Sequence, residues 1–195
     1  MEEDSNDEDL ALMARIAKGD ENAFGSLVAK HQHAVIGTVG KMTNQSADTE
    51  DIAQQIFLRI WKAAPRYTPT AKFTTFLFTI ARNLVFNETR KKSRRMEHSL
   101  EEQQDQWHAT AADPNPSSRP DKSLEQQELR QVVDQAIAAL PEKQRLAVVL
   151  RRYEQMPYEE IAEVLELSVS AVKSQLFRAR AALRESLQPY LDEQS

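Results

Sequence analysis

The sequence predicts an all-α fold: two small helical domains joined by a flexible linker, the C-terminal one a helix-turn-helix domain. Three observations carry this. Apolar residues recur at intervals of three and four on both sides of the chain centre, and no run of β-branched residues alternates with polar ones. The stretch Ser99 to Lys122 is polar and aperiodic, with Pro114, Pro116 and Pro120 close together, and it buries too little apolar surface to offset the entropy of ordering it. Near the C-terminus, two short helical patterns are joined by only Glu166, Leu167 and Ser168, the spacing of a helix-turn-helix. The chain divides into an acidic tail over 1–9, a helical domain over 10–97, a linker over 98–123 and a second helical domain over 124–190.

Taken in order, Leu10, Met13, Ile16 and Ala17 form a short apolar stripe that stops at Gly19, a helix-ending residue. Asp20 caps the next helix, which carries Phe24, Leu27 and Val28. Further helices are predicted over Thr49 to Ala63 and Phe73 to Arg95. After the linker come Leu124 to Leu140, Glu142 to Tyr153, Tyr158 to Leu165 and Val169 to Leu187. Trp107 reads as an isolated linker aromatic.

Composition excludes several classes. The chain has 195 residues and no cysteine, which removes a disulfide framework, a thiol nucleophile and Cys-ligated zinc and fits a cytoplasmic location. No window approaches an uncharged membrane span, and the acidic N-terminus is the opposite of a signal-peptide start, so no membrane insertion is expected. A catalytic constellation is missing too. His31 and His33 do not face each other on a helix, and His98 and His108 lie at or in the linker. No cofactor, metal or enzymatic activity is expected.

The net charge of −5 speaks against nucleic acid only until it is broken up. Residues 65–97 carry +6, and Ser168 to Arg184 hold Lys173, Arg178, Arg180 and Arg184 with no acid. The first patch is interleaved with Tyr67, Phe73, Phe76, Phe78 and Phe86 and leads into a basic run from Arg90 to Arg95. Phe73, Phe76, Leu77, Ile80 and Leu84 share a core-facing side of their helix. Phe78 and Phe86 are expected on the other side with Thr75, Thr79 and Arg82, where an unstacked base can rest on a ring.

Two further faces stand out. In the helix after Thr49, the side with Ile52, Ala53, Ile56, Phe57, Ile60 and Trp61 is the buried one. Asp51, Gln54, Gln55, Leu58 and Lys62 lie opposite, and a leucine centred on a polar stripe is what a helix offers to a partner protein. In the helix after Ser168, Val172, Leu176, Ala179 and Leu183 face Ile161, Ala162, Leu165 and Leu167. The outer side carries Lys173, Ser174, Phe177, Arg178 and Arg184, short polar and long cationic chains suited to the major groove.

Together these segments resemble bacterial sigma factors of the extracytoplasmic-function group. Ala17-Lys-Gly-Asp-Glu-Asn-Ala-Phe24 is similar to the family's opening signature and Asp51-Ile-Ala-Gln-Gln-Ile-Phe-Leu-Arg-Ile-Trp61 to its polymerase-binding helix. Leu140-Pro141, Tyr158 to Ala162 and Val172 to Arg180 are similar to its C-terminal domain. The resemblance implies a promoter-specificity subunit of core RNA polymerase, whose β′ coiled coil would be gripped by Asp51, Gln54, Gln55, Leu58 and Lys62, with the β subunit as a further implied partner. Region 2, over 10–97, would open and hold the minus-10 element and its melted non-template strand with Tyr67, Phe76, Phe78, Arg82, Asn83, Asn87 and Arg90. Region 4, over 124–190, would read the minus-35 duplex with Lys173, Ser174, Phe177, Arg178 and Arg180. The linker would thread toward the polymerase active site, and an anti-sigma factor is an implied partner. The alternative is a self-sufficient helix-turn-helix regulator acting as a dimer. Four features depart from the family pattern: Pro69 or Thr70 stands where a glycine is usual, Phe76 for a tryptophan, Gln55 for a glutamate and Glu166 for a frequent glycine at the helix-turn-helix bend.

Overall fold

The computed structural model describes residues 2–102 and 122–193. Most of the linker expected at 98–123, including Trp107 and His108, lies outside the described residues. Among them the chain is all-helical, as the periodicity predicts. The helices are α1 (Glu2–Ile16), α2 (Glu21–Thr43), α3 (Thr49–Ala63), α4 (Phe73–Glu102), α5 (Lys122–Ala138), α6 (Glu142–Arg152), α7 (Tyr158–Leu165) and α8 (Val169–Glu193), with a 3-10 turn at Ala64–Arg66. No helix among the described residues is long and apolar enough to cross a membrane.

The helix ends follow local chemistry. Gly19 takes φ +85° between α1 and α2, a conformation that costs glycine nothing. Asp20 then accepts a hydrogen bond from the Ala23 amide at 3.0 Å, as expected of an N-cap. Ser168 does the same for α8, accepting from the Ala171 amide at 3.1 Å. The first nine residues, expected as an acidic tail, form the start of α1 from Glu2 onward. Asp9 is only 2% exposed because Lys30 Nζ lies 2.7 Å and His31 Nε2 3.0 Å from its Oδ1. A buried carboxylate persists only when paired in this way. Asn6, one turn earlier, accepts from the Phe73 amide at 2.9 Å and so caps α4 from a distance in sequence.

The N-terminal core is built from Met13 and Ile16 of α1, Leu27 and Val35 of α2, Ile56 and Ile60 of α3, and Phe73 and Leu77 of α4, all fully buried. Each contributes about 1.5–3 kcal/mol relative to exposure. Phe24 and Trp61 close its edge with ring centroids 5.1 Å apart. The C-terminal core joins Leu146 and Leu150 of α6 to Ile161 and Leu165 of α7 and Val172 and Ala179 of α8. The two cores are continuous. α4 packs along α7, and α2 packs on α5 and α6, so in this arrangement the halves do not stand apart. Arg145 of α6 clamps the junction: it donates to the carbonyls of Met42 at 2.8 Å and Leu140 at 3.0 Å, and also to that of Ala138.

Candidate functional surfaces

α3 sorts its residues as the helical wheel requires. Ile52, Ala53, Ile56, Phe57 and Ile60 are buried, and Trp61 is half-buried. Asp51, Gln54, Gln55 and Lys62 are exposed, and Leu58 among them is 53% exposed. The stripe is a polar surface with one apolar centre. Beside it a polar hollow opens between α3 and α4, lined by Gln55, Arg59, Asn87, Arg90, Lys91 and Arg94. Asn87 and Arg90 are exposed there.

The other residues expected at the minus-10 strand sit on the loop before α4 and on its first half. Tyr67 and Phe76 stack with centroids 4.7 Å apart. The Tyr67 hydroxyl is buried without a hydrogen-bond partner, as is Thr75 Oγ1, and burial pushes the Tyr67 phenol above the ordinary tyrosine range. Both residues line a cavity of about 210 Å³ with Thr68, Thr79 and, from α7, Glu163. Asn83 is exposed and accepts from Arg82 Nη2 at 2.6 Å.

Two placements differ from expectation. Phe78, expected on an open side of α4, is 3% exposed and lines a polar cavity with Met156 and Pro157 of the C-terminal half. Arg82 is 7% exposed. The wheel assigns the correct side of α4, but a second helical layer covers that side, and helical periodicity within one segment contains no information about it. Phe86 is half-buried and Phe73 is core, the latter as expected.

The outer face of α8 is open. Lys173, Ser174, Arg178, Arg180 and Arg184 are exposed, and Phe177 among them is 75% exposed. Lys173 and Arg151 flank the Tyr158 ring, at 5.9 Å and 4.9 Å from its centroid. Val172 and Ala179 are buried on the inner side. The turn before α8 contains Glu166 at φ 54°, ψ 49°, a left-handed conformation that glycine adopts more readily.

Sequence reasoning missed the acids that face α4 from the other half: Lys72 Nζ lies 2.8 Å from Glu160, Arg82 Nη2 donates to Glu166 Oε1 at 2.7 Å, and Thr89 donates to Glu142. The Arg82 guanidinium holds the Glu166 carboxyl below the usual range. The only signal of these contacts was Glu166 itself, a β-carbon residue at a bend suited to glycine. Among the described residues, no cluster of His, Asp and Glu side chains is placed to hold a metal ion.

Comparisons with known proteins identify the family and the fold. The family profile Sigma-70 region 2 matches residues 27–95 and Sigma-70, region 4 matches residues 130–183. The RNA polymerase sigma-H factor of Pseudomonas aeruginosa is 32% identical over 191 residues, covering 97% of this chain and 98% of the relative. The ECF RNA polymerase sigma-E factor of Escherichia coli is 33% identical over 184 residues, 94% and 96% of the two chains. Among solved structures, CnrH in complex with the cytosolic domain of CnrY superposes with a TM-score of 0.66 at 27% identity, covering 96% of this chain and 99% of the other. The sigma factor RpoE in complex with the anti-sigma factor NepR from Bartonella quintana shares the fold, with a TM-score of 0.65 at 22% identity over 85% and 96% of the chains.

Proposed function

The chain belongs to the extracytoplasmic-function group of the sigma-70 family, and from that membership we propose how its residues divide the work. Members of this family bind core RNA polymerase and promoter DNA, and this chain is a promoter-recognising sigma factor. Residues 10–97 act as region 2 and 124–190 as region 4. The stripe of Asp51, Gln54, Gln55, Leu58 and Lys62 docks on the β′ coiled coil of the polymerase, with Leu58 as the apolar anchor and the polar chains as its rim. Tyr67, Phe76, Phe78, Arg82, Asn83, Asn87 and Arg90 hold the melted minus-10 strand. Lys173, Ser174, Phe177, Arg178 and Arg180 read the minus-35 duplex. The chain contributes specificity and strand capture and leaves the chemistry to the polymerase, so it acts in the cytoplasm with that enzyme. An anti-sigma factor is its expected regulator, since the structural neighbour RpoE is held by such a partner.

The observation that supports this division best is the pairing of an exposed Leu58 on α3 with an outer face on α8 that is free of acids from Ser168 to Arg184. One surface suits protein and the other suits DNA. Sequencing transcript starts after overexpression tests it. The expected result is a set of induced starts preceded by shared minus-10 and minus-35 elements at constant spacing. Unchanged starts, with a purified homodimer that binds an operator tightly on its own, would favour the dimeric regulator.

A further inference from the structure

Apart from Arg145, which donates to the Met42 carbonyl, the side-chain contacts observed between the halves share one polarity. At Thr38, Lys41, Lys72, Arg82 and Thr89 the N-terminal half supplies the donor, and the C-terminal half supplies a carboxylate: Glu154 at 3.2 Å, Asp134 at 3.0 Å, Glu160 at 2.8 Å, Glu166 at 2.7 Å, and Glu142. Lys72, Arg82 and Thr89 belong to α4 or its lead-in, the face assigned above to the melted strand. A single strand of DNA offers such donors the same chemistry, a spaced series of anionic oxygens. The fit to this internal occupant is nevertheless incomplete. Beneath Glu163 of α7, the Tyr67 hydroxyl and Thr75 Oγ1 stay buried without partners, and buried polar groups left this way are costly. Glu163 is the C-terminal half's contribution to the lining of this cavity, and it leaves both groups unsatisfied.

Glu166 gives this polarity a specific mechanism. It holds a left-handed backbone at φ 54° where glycine is unstrained, and its carboxylate is the acid within reach of Arg82, a guanidinium otherwise bonded only to Asn83 in the contacts observed. We propose that region 4 is a tethered competitor of the minus-10 strand: the α7 edge carrying Glu160, Glu163 and Glu166 occupies α4 in the free chain, Glu166 on Arg82 is the principal latch, and melted DNA and region 4 exclude each other. The proposal rests on the assignment of α4 to the minus-10 strand. Tethering makes a weak contact sufficient, because covalent connection within one chain keeps the competitor at roughly millimolar effective concentration. DNA affinity is then reduced by the fraction of chains that are closed. The Glu166 side chain is 74% exposed against 8% for Arg82, so water screens the pair, and removing it shifts the closed-to-open ratio by up to about fivefold.

The test uses the full chain without polymerase. Because the chain has no cysteine, a donor and acceptor can be placed through Arg59→Cys and Glu185→Cys, both on exposed positions. The DNA probe is a single-stranded oligonucleotide carrying the non-template minus-10 sequence found by start mapping. Energy transfer should be high in the otherwise wild-type chain, fall when the oligonucleotide is added, and be low in Glu166→Gly before any DNA is present. Glu166→Gly should bind the oligonucleotide up to about fivefold more tightly at about 50 mM salt, with the advantage shrinking at about 0.5 M as the ion pair is screened. This variant relieves backbone strain, so a thermal unfolding midpoint at or above wild type separates opening from misfolding. Equal energy transfer and equal affinity in the two proteins, or DNA binding with no change in transfer, would overturn the proposal. Failure of the underlying assignment looks different: Arg82→Ala would then leave promoter melting by the holoenzyme intact, while Glu166→Gly still opened the chain.

Discussion

Replacing Leu58 by glutamate separates docking from folding within one helix. Leu58 is 53% exposed, so about half of its burial free energy remains to be gained on a partner, roughly 1 kcal/mol from the 1.5–3 kcal/mol typical of a leucine. Leu58→Ala should therefore weaken association with core polymerase about fivefold. Leu58→Glu adds the cost of placing a carboxylate in a desolvated contact, roughly 2 kcal/mol more, for a total near 100-fold. The fold should be unaffected: exposed substitutions change stability by about 0.5 kcal/mol at most, and the introduced carboxylate would stand four residues before Lys62, a favourable pairing on a helix. Two residues away, Ile56 is fully buried, and Ile56→Ala should cost about 2–5 kcal/mol of stability. Fluorescence anisotropy of the labelled chain titrated with core polymerase, run beside thermal unfolding, reads both quantities. Unchanged affinity of Leu58→Glu, or a midpoint lowered as far as that of Ile56→Ala, would refute the placement of this stripe.

Other predictions follow the same logic. Arg178→Ala, if Arg178 meets a base edge, should cost about 1–3 kcal/mol at the cognate minus-35 site and relax preference at one position; a uniform loss across sequences, measured by competition binding, would make it a phosphate contact. Asn6→Ala removes the side-chain cap at the Phe73 amide and should lower stability by about 0.5–2 kcal/mol in denaturant unfolding, with hydrogen exchange faster at the start of α4 than in α6. Asp20 has its carboxyl held below the ordinary range by the Ala23 amide first and by Arg15 second. Because its folded value is depressed, its contribution is complete above the ordinary carboxylate range and is lost as pH falls through the folded value. Asp20→Asn should therefore flatten part of the acid limb of the stability curve between those two values, and an identical limb in both proteins would contradict the cap's role.

Much of this arrangement was legible in the sequence because it is local. The bounds of α3 and α7 follow from periodicity, the buried and exposed sides of α3 from a single helical wheel, and the caps at Asp20 and Ser168 from residue type. What was hidden depends on contacts distant in sequence. Asp9 reads as part of an acidic tail until Lys30 and His31 are brought beside it, which anchors a helix that begins at Glu2. Phe78 and Arg82 lie on the predicted side of α4, yet are buried because α7 and its flanking turns cover them. Only Glu166 gave notice of that cover. A glutamate at a bend that favours glycine carries a backbone cost, and its contact with Arg82 in the other half supplies a compensating interaction.

The most direct measurement is run-off transcription with purified core polymerase on a linear promoter identified by start mapping. With the chain present, core polymerase should produce one transcript of defined length, and Leu58→Glu should abolish it without unfolding. The same transcript from core polymerase alone, or no transcript under conditions where the chain binds the template tightly as a dimer, would contradict the assignment of this protein as a promoter-specificity subunit.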